Sequence, residues 1–174
     1  MSGLIQDPEL ADLYQTELLV SESQRRYSTV RDAVLKQLRP GDFVEHMWAA
    51  EIVESEWETL RLRHFKSLIV NSARRPAVQS LLAVLLSRTE SDDIEDLAER
   101  FFTNKRERKK VGAILRKFGL SEANIDAEAF RCSIAELAEI NRRLVELGSR
   151  RDKILQQLED HRAGLAKPAQ LDAG

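Results

Sequence analysis

The sequence is poor in everything that staples or turns a chain. It has one cysteine, four prolines and seven glycines in 174 residues. A single thiol, Cys132, makes no internal disulfide, which excludes a disulfide framework and suits a reducing compartment. Few turn formers and only 6% aromatic residues argue against a strand-rich fold, which draws on both. No apolar run approaches the roughly 20 residues that cross a bilayer; the longest, over about 78–86, contains Gln79 and Ser80. The start, MSGLIQDPELADLY, has neither a basic nor an apolar leader region, so secretion is not expected. Positive and negative residues nearly balance, 27 against 29, for a net charge of −2. No global field therefore draws the chain to nucleic acid or to anionic lipid. The expectation is a cytoplasmic protein with no membrane partner.

What remains is the material of helices. With 43% hydrophobic and 32% charged residues, the length allows one packed helical domain, expected over 1–165, with a frayed tail over 166–174. Asp7 followed by Pro8 reads as an N-cap and first helical position. Ser21 with Gln24 reads as a capping box ahead of Tyr27, Val30, Val34 and Leu38, and Pro40-Gly41 closes that helix. Asp42 with Glu45 is a second such start, and neither glycine nor proline interrupts 43–72. A helix of that length runs about 45 Å. Its stripe is read as Phe43, Met47, Ala50, Val53, Trp57, Leu60, His64 and Leu68, with His64 an interior or boundary residue, and Val44, Trp48, Ile52, Leu62, Phe65 and Ile69 add a second, broader face.

Shorter helices follow. Pro76 is expected to open a buried helix carrying Val78, Leu81, Leu82, Val84, Leu85 and Leu86. An acidic segment over 91–103 turns Ile94, Leu97, Ala98, Phe101 and Phe102 inward, and a basic segment over 104–118 ends at Gly119. The stretch over 121–132 is expected to be loose, with one helical turn at most and Cys132 partly buried. Ser133 with Glu136 then caps a heptad helix: Leu137, Ile140, Leu144, Leu147, Arg151, Ile154, Leu158, His161 and Leu165 alternate at steps of three and four.

Catalytic patterns are missing. There is no phosphate-cradling glycine loop, no pair of histidines four residues apart, no cysteine pair for zinc and no Glu-x-x-His for a di-iron bundle. The acids Glu51, Glu54, Glu56 and Glu58 read as a solvated face with pairs such as Glu58 to Arg61. No catalytic residue, metal, cofactor or small-molecule substrate is expected, and no enzyme activity.

Two sets of residues point to partners. Lys105, Arg106, Arg108, Lys109, Lys110, Arg116 and Lys117 face one acid, Glu107, a pattern able to neutralise phosphates. Its meaning depends on helix breaks. A single helix from Asp92 to Phe118 would be acidic at its start and basic at its end, as the dipole prefers. A new helix starting at Asn104 would crowd cations at its positive end and favour an anionic partner. The second set is the seam. Arg151 and His161 sit in an otherwise apolar heptad, where polar residues can fix register or partner choice, although Arg151 can also send its guanidinium outward. Trp48 and Trp57 lie about 2.5 turns apart, so that one faces the core and the other is free to anchor a partner. Gly148 leaves a notch in the helix for a bulky neighbour.

The run from Glu45-His46-Met47-Trp48 through Trp57-Glu58-Thr59-Leu60-Arg61-Leu62-Arg63 to Lys66 resembles the central helix of a group of short, uncharacterised all-helical bacterial proteins. Ile140-Asn141-Arg142, Arg150-Arg151-Asp152 and His161-Arg162 resemble that group's closing helix. The resemblance extends over roughly residues 13–165. It implies an all-helical fold and carries no activity; Asn141 and Gly148 stand where the group's pattern has acids.

The expected fold is all-α: a long antiparallel helical hairpin, about 43–72 against 133–163, with a cluster of shorter helices. The leading expectation for function is a non-enzymatic interaction module, in which the hairpin holds a protein partner or a second copy as a homodimer. The alternative is a nucleic-acid-binding accessory or regulatory protein acting through 105–117.

Overall fold

The computed structural model describes residues 8–86 and 91–166; Asp7 and the tail beyond Ala166 lie outside them. The fold is all-α, and no described residue is in a strand. Eight helices run through the described residues: α1 Pro8–Leu13, α2 Gln24–Leu38, α3 Phe43–Ser72, α4 Arg74–Leu85, α5 Ser91–Thr103, α6 Lys105–Lys117, α7 Glu122–Cys132 and α8 Ile134–Ala166. No helix among these residues is long and apolar enough to cross a membrane. The chain divides into two compact units, one drawn from Met1–Leu62 with Arg142–Gly174 and the other Arg63–Asn141.

The first unit holds α1, α2 and the parts of α3 and α8 up to Leu62 and from Arg142. Asp42 starts α3 as expected: its Oδ1 accepts the Glu45 N–H at 2.8 Å. Glu45 reaches back to the Gly41 N–H at 2.8 Å, so one of the four donors that the first turn leaves without helical acceptors is satisfied, together with the donor just ahead of the cap. Within this unit α3 and α8 run antiparallel, since Glu56, Glu51 and Glu45 pair with Arg151, Arg150 and Arg162 in turn. The core joins Tyr14, Tyr27, Leu35, Ala49, Val53 and Trp57. Tyr27 lies edge-on to Trp57 with ring centroids 5.5 Å apart and donates its hydroxyl to the Tyr14 carbonyl at 2.8 Å. Burial pushes the Tyr14 hydroxyl up to about 12, and that hydroxyl meets His46 Nδ1 at 2.9 Å.

The second unit is packed around Ala77, Val78, Leu82, Ile94, Ala98, Phe101, Val111, Leu115, Ile125 and Ala129. Here α4 packs on α7 and α5, and α5 packs on α6. Ser80 of α4 donates to Glu128 of α7 at 2.8 Å, and Arg131 chelates the same carboxylate. The Arg131 guanidinium, then Ser80, hold that carboxyl at about 2.

Several local expectations give way to tertiary structure. Ser23, not Ser21, is the N-cap of α2, and it makes no side-chain cap. Pro76 is the third residue of α4 rather than its first; its missing N–H is still among the four that need no helical acceptor. Only Ala77, Val78 and Leu82 of α4 are buried, and Val84 faces solvent. The stretch over 121–132 is a full helix, α7, with Ser121 and Asn124 forming a capping box. Cys132 at its end is exposed. Ser133 turns its hydroxyl back to the Ala129 carbonyl at 3.0 Å and so is unable to cap α8 with its side chain. In α3 the buried positions are Glu45, Ala49, Ile52, Val53, Ser55, Trp57 and Leu62, while His64 is exposed. Val53 and Trp57 of the stripe and Ile52 and Leu62 of the second face are inside, and a buried Glu45 is acceptable because Arg162 pairs with it.

Candidate nucleic-acid interface

Asn104 decides how the basic segment is presented. Its extended backbone (φ −128°, ψ 115°) breaks the chain between α5 and α6, and its side-chain oxygen accepts the Arg106 and Glu107 N–H groups. The two-helix alternative is therefore the one realised. Lys105, Arg106, Arg108, Lys109 and Lys110 occupy the first two turns of α6, at the positive end of its dipole. Arg116 and Lys117 sit at the other end, and all seven are exposed.

The neighbouring acids are engaged elsewhere. Glu95 and Glu99 of α5 lie 3.6 and 3.1 Å from Arg75, and Asp96 lies 2.7 Å from Arg100. Two of the seven α6 cations form ion pairs among the described residues. Lys110 meets Glu107 at 2.6 Å and Arg108 meets Glu122 at 2.7 Å. These contacts hold the carboxyls of Glu107 and Glu122 below the usual range, Lys110 being the main cause for the first and Arg108 for the second. Lys105, Arg106, Lys109, Arg116 and Lys117 are left toward solvent.

Beneath this face lies a cavity of about 720 Å³ between α5, α6 and α7. Phe101, Phe102, Leu115, Leu120 and Ile125 give it an apolar lining, while Lys105, Arg108, Lys109 and Arg116 supply cations. The cations share one helical face with Gly112, spaced three, four, seven and eleven residues from Lys105. Phe101 is buried and Phe102 is 45% exposed, against the expectation that both turn inward. Their rings sit edge to face, 4.8 Å apart. The Arg108 guanidinium lies 5.6 Å from the Phe101 ring centroid, a cation–π arrangement that fixes it over the floor. Gly119, with φ 73°, turns the chain out of α6 toward Ser121. The cations are legible in the sequence and the cavity is not. The spacing of Lys105, Arg108, Lys109, Gly112 and Arg116 was its available signal; Phe102, Leu120 and Ile125 come together only once α7 exists.

The seam residues lie in the first unit, and their contacts are within the chain. Arg151 donates to Glu56 Oε1 at 3.0 Å and to its neighbour Asp152. His161 Nε2 lies 2.8 Å from Asp42 Oδ2, and its ring stands edge-on to Trp48 at 5.4 Å. Trp57 is in the core, and Trp48 is half-buried at the seam. Arg162 holds Glu45 through Nε and Nη2, both at 2.7 Å, and also donates to the Leu38 carbonyl at 2.8 Å. Asp42, Glu45 and His161 offer ligand atoms within 4.8 Å of one another. The Arg162 guanidinium already serves the buried carboxylate there, so the cluster reads as a junction between α2, α3 and α8. The notch at Gly148 has no heavy atom within 4 Å of the position its Cβ would take.

Compared with known proteins, the chain matches no family model, no curated protein and no solved structure.

Proposed function

We propose that the protein is a non-enzymatic nucleic-acid-binding accessory protein whose contact surface is the basic face of α6. The observation that carries this reading is the helix start at Asn104. Cations in the first turn of a helix oppose its dipole, so this arrangement is unfavourable as internal structure and favourable toward a polyanion. Glu95, Asp96 and Glu99 pair with Arg75 and Arg100 and not with the α6 cations, which supports a locally basic face despite the chain's net charge of −2. If four or five phosphates are neutralised, the logarithm of affinity falls with the logarithm of salt at a slope of about −3 to −4. Fluorescence anisotropy with a labelled oligonucleotide tests this. Replacing Lys105 and Lys109 by Glu should lower affinity by about 10-fold or more and flatten the slope by about 1 to 2. No binding at low salt, or binding indifferent to those substitutions, refutes the reading.

A second reading, a module that holds a protein partner or a second copy, has its own support in the exposed Phe43, Val44 and Met47 at the start of α3. Scattered apolar residues are ordinary on surfaces, and a contiguous group is what marks an interface. The seam lends this reading less, because Arg151, His161 and Arg162 find partners in the same chain. Light scattering tests the homodimer form: a strict monomer over micromolar concentrations removes it.

A further inference from the structure

We infer that the groove between α5, α6 and α7 selects single-stranded nucleic acid, taking an unstacked base against Phe102 while the flanking phosphates run along Lys105, Lys109 and Arg116. This rests on the nucleic-acid reading above and names the strand form it favours. Three features of the groove carry it.

The first is the combination of an apolar floor with a charged wall. A duplex presents phosphates and base edges, and its base faces are hidden in the stack. A basic surface alone would serve it, and a cavity of about 720 Å³ lined by Phe102, Leu115, Leu120 and Ile125 would meet nothing. Single strands offer base faces, and proteins that hold them pair a cationic track with aromatic side chains on which bases stack. Phe102 suits that use: its ring is partly exposed and is held edge to face against the buried Phe101 at 4.8 Å.

The second feature is the row of charges. Lys105, Lys109 and Arg116 lie on one face of α6, spread over roughly 16 Å at 1.5 Å per residue. A lone carboxylate or phosphate head group is satisfied by one or two cations. Charges in series ask for a ligand with charges in series. Glu122 also lines the groove, but Arg108 and Arg74 lie 2.7 and 3.6 Å from its carboxylate, so it does not cancel the row.

The third is Gly112, midway along the row. A helix interior disfavours glycine, and protein packing does not require it here. A Cβ would meet only Arg116 Nη1, at 3.6 Å, which is ordinary contact. Its effect is to leave the groove wall bare where a ligand would pass.

The experiment uses the full chain with three probes: a fluorescein-labelled oligothymidine of about a dozen nucleotides, its duplex with the complement, and an oligoglutamate peptide of similar charge. The strand should bind about 10-fold more tightly than the duplex or the peptide. Phe102→Ala should weaken strand binding about 10-fold and leave duplex binding unchanged. Gly112→Leu should do the same by filling the groove, and because it favours the helix, its loss of binding is not a loss of folding. Equal affinity for strand and duplex, insensitive to both substitutions, overturns this inference and leaves the proposed function standing. Oligoglutamate bound as tightly as the strand also overturns it, since charge alone would then suffice. Binding of neither nucleic acid overturns both.

Discussion

Arg61 joins the segment ahead of α2 to the middle of α3, and its removal is a direct test of what holds the first unit together. Its Nε and Nη2 donate to the two oxygens of Glu22 at 2.7 and 2.9 Å, and Nη1 meets Glu58. Glu22 also accepts the Leu19 N–H at 2.9 Å. The pair is largely sheltered, with side chains 19% and 12% exposed. Breaking a buried pair by removing one partner costs about 3–5 kcal/mol, because a desolvated charge is stranded. Partial exposure and the remaining Leu19 bond place Arg61→Ala near the lower end, about 3 kcal/mol. At this chain length that is roughly 6–12 °C in Tm. Glu22→Gln with Arg61→Ala should cost less than the sum of the two, with a coupling of about 1–2 kcal/mol in a urea-denaturation cycle.

The pH dependence gives a second readout. The Arg61 guanidinium is the main reason the Glu22 carboxyl sits at about 2 rather than its ordinary 4.5. A carboxyl lowered on folding contributes stability that is complete above its unfolded value and is lost as pH falls through its folded value. The stability gap between the wild type and Arg61→Ala should therefore hold from pH 7 to about 5 and narrow between about 4.5 and 2. A gap below about 0.5 kcal/mol at neutral pH, or one that is constant down to about pH 2.5, refutes the reasoning.

Substitutions at three further positions have defined outcomes. Arg162→Ala strands the buried Glu45 and frees the Leu38 carbonyl, and should cost about 2 kcal/mol by urea melt, discounted because Arg162 is partly exposed. Arg162→Lys should recover less than half of that, since one ammonium replaces a fork that serves both the carboxylate and the carbonyl. Gly148→Ala, with open space at its Cβ position, should raise stability by about 0.5–1 kcal/mol, seen as a rise in Tm of about 1–4 °C. Asn104→Ala removes the cap on Arg106 and Glu107 and should cost about 1 kcal/mol, whereas Asn104→Asp should keep the cap and weaken oligonucleotide binding by adding a negative charge beside Lys105.

Long elements were legible because their signals are local and repeated. The span of α3 follows from Asp42 and from a run without glycine or proline, and the heptad of α8 marks Leu137, Ile140, Ile154 and Leu158, all of them buried. What the sequence concealed depends on residues far apart in the chain. Glu45 is buried because Arg162, 117 positions away, meets it; no periodicity rule places a carboxylate inside. His64 lies on the exposed side of α3. The helix α7 was missed because its buried side, Ile125 and Ala129, is only two residues wide. Without α7 there is no groove, so the cations of α6 were visible and the cavity beneath them was not.

The same cations mean opposite things on either side of one helix break, and this yields a test that separates structure from function. Were α5 and α6 one helix, Lys105 would lie in its interior, away from either end of the dipole. With Asn104 as N-cap, Lys105 is the first residue of α6 and opposes the dipole, at about 0.3–1 kcal/mol for such a charge. Lys105→Glu reverses that sign and adds a Glu–Lys pair with Lys109 four residues on, about 0.3–0.5 kcal/mol. The variant should therefore melt about 2–10 °C higher than the wild type while binding an oligonucleotide several-fold more weakly. A lower Tm with unchanged binding would return Lys105 to the structural charges and remove the α6 surface as the contact site.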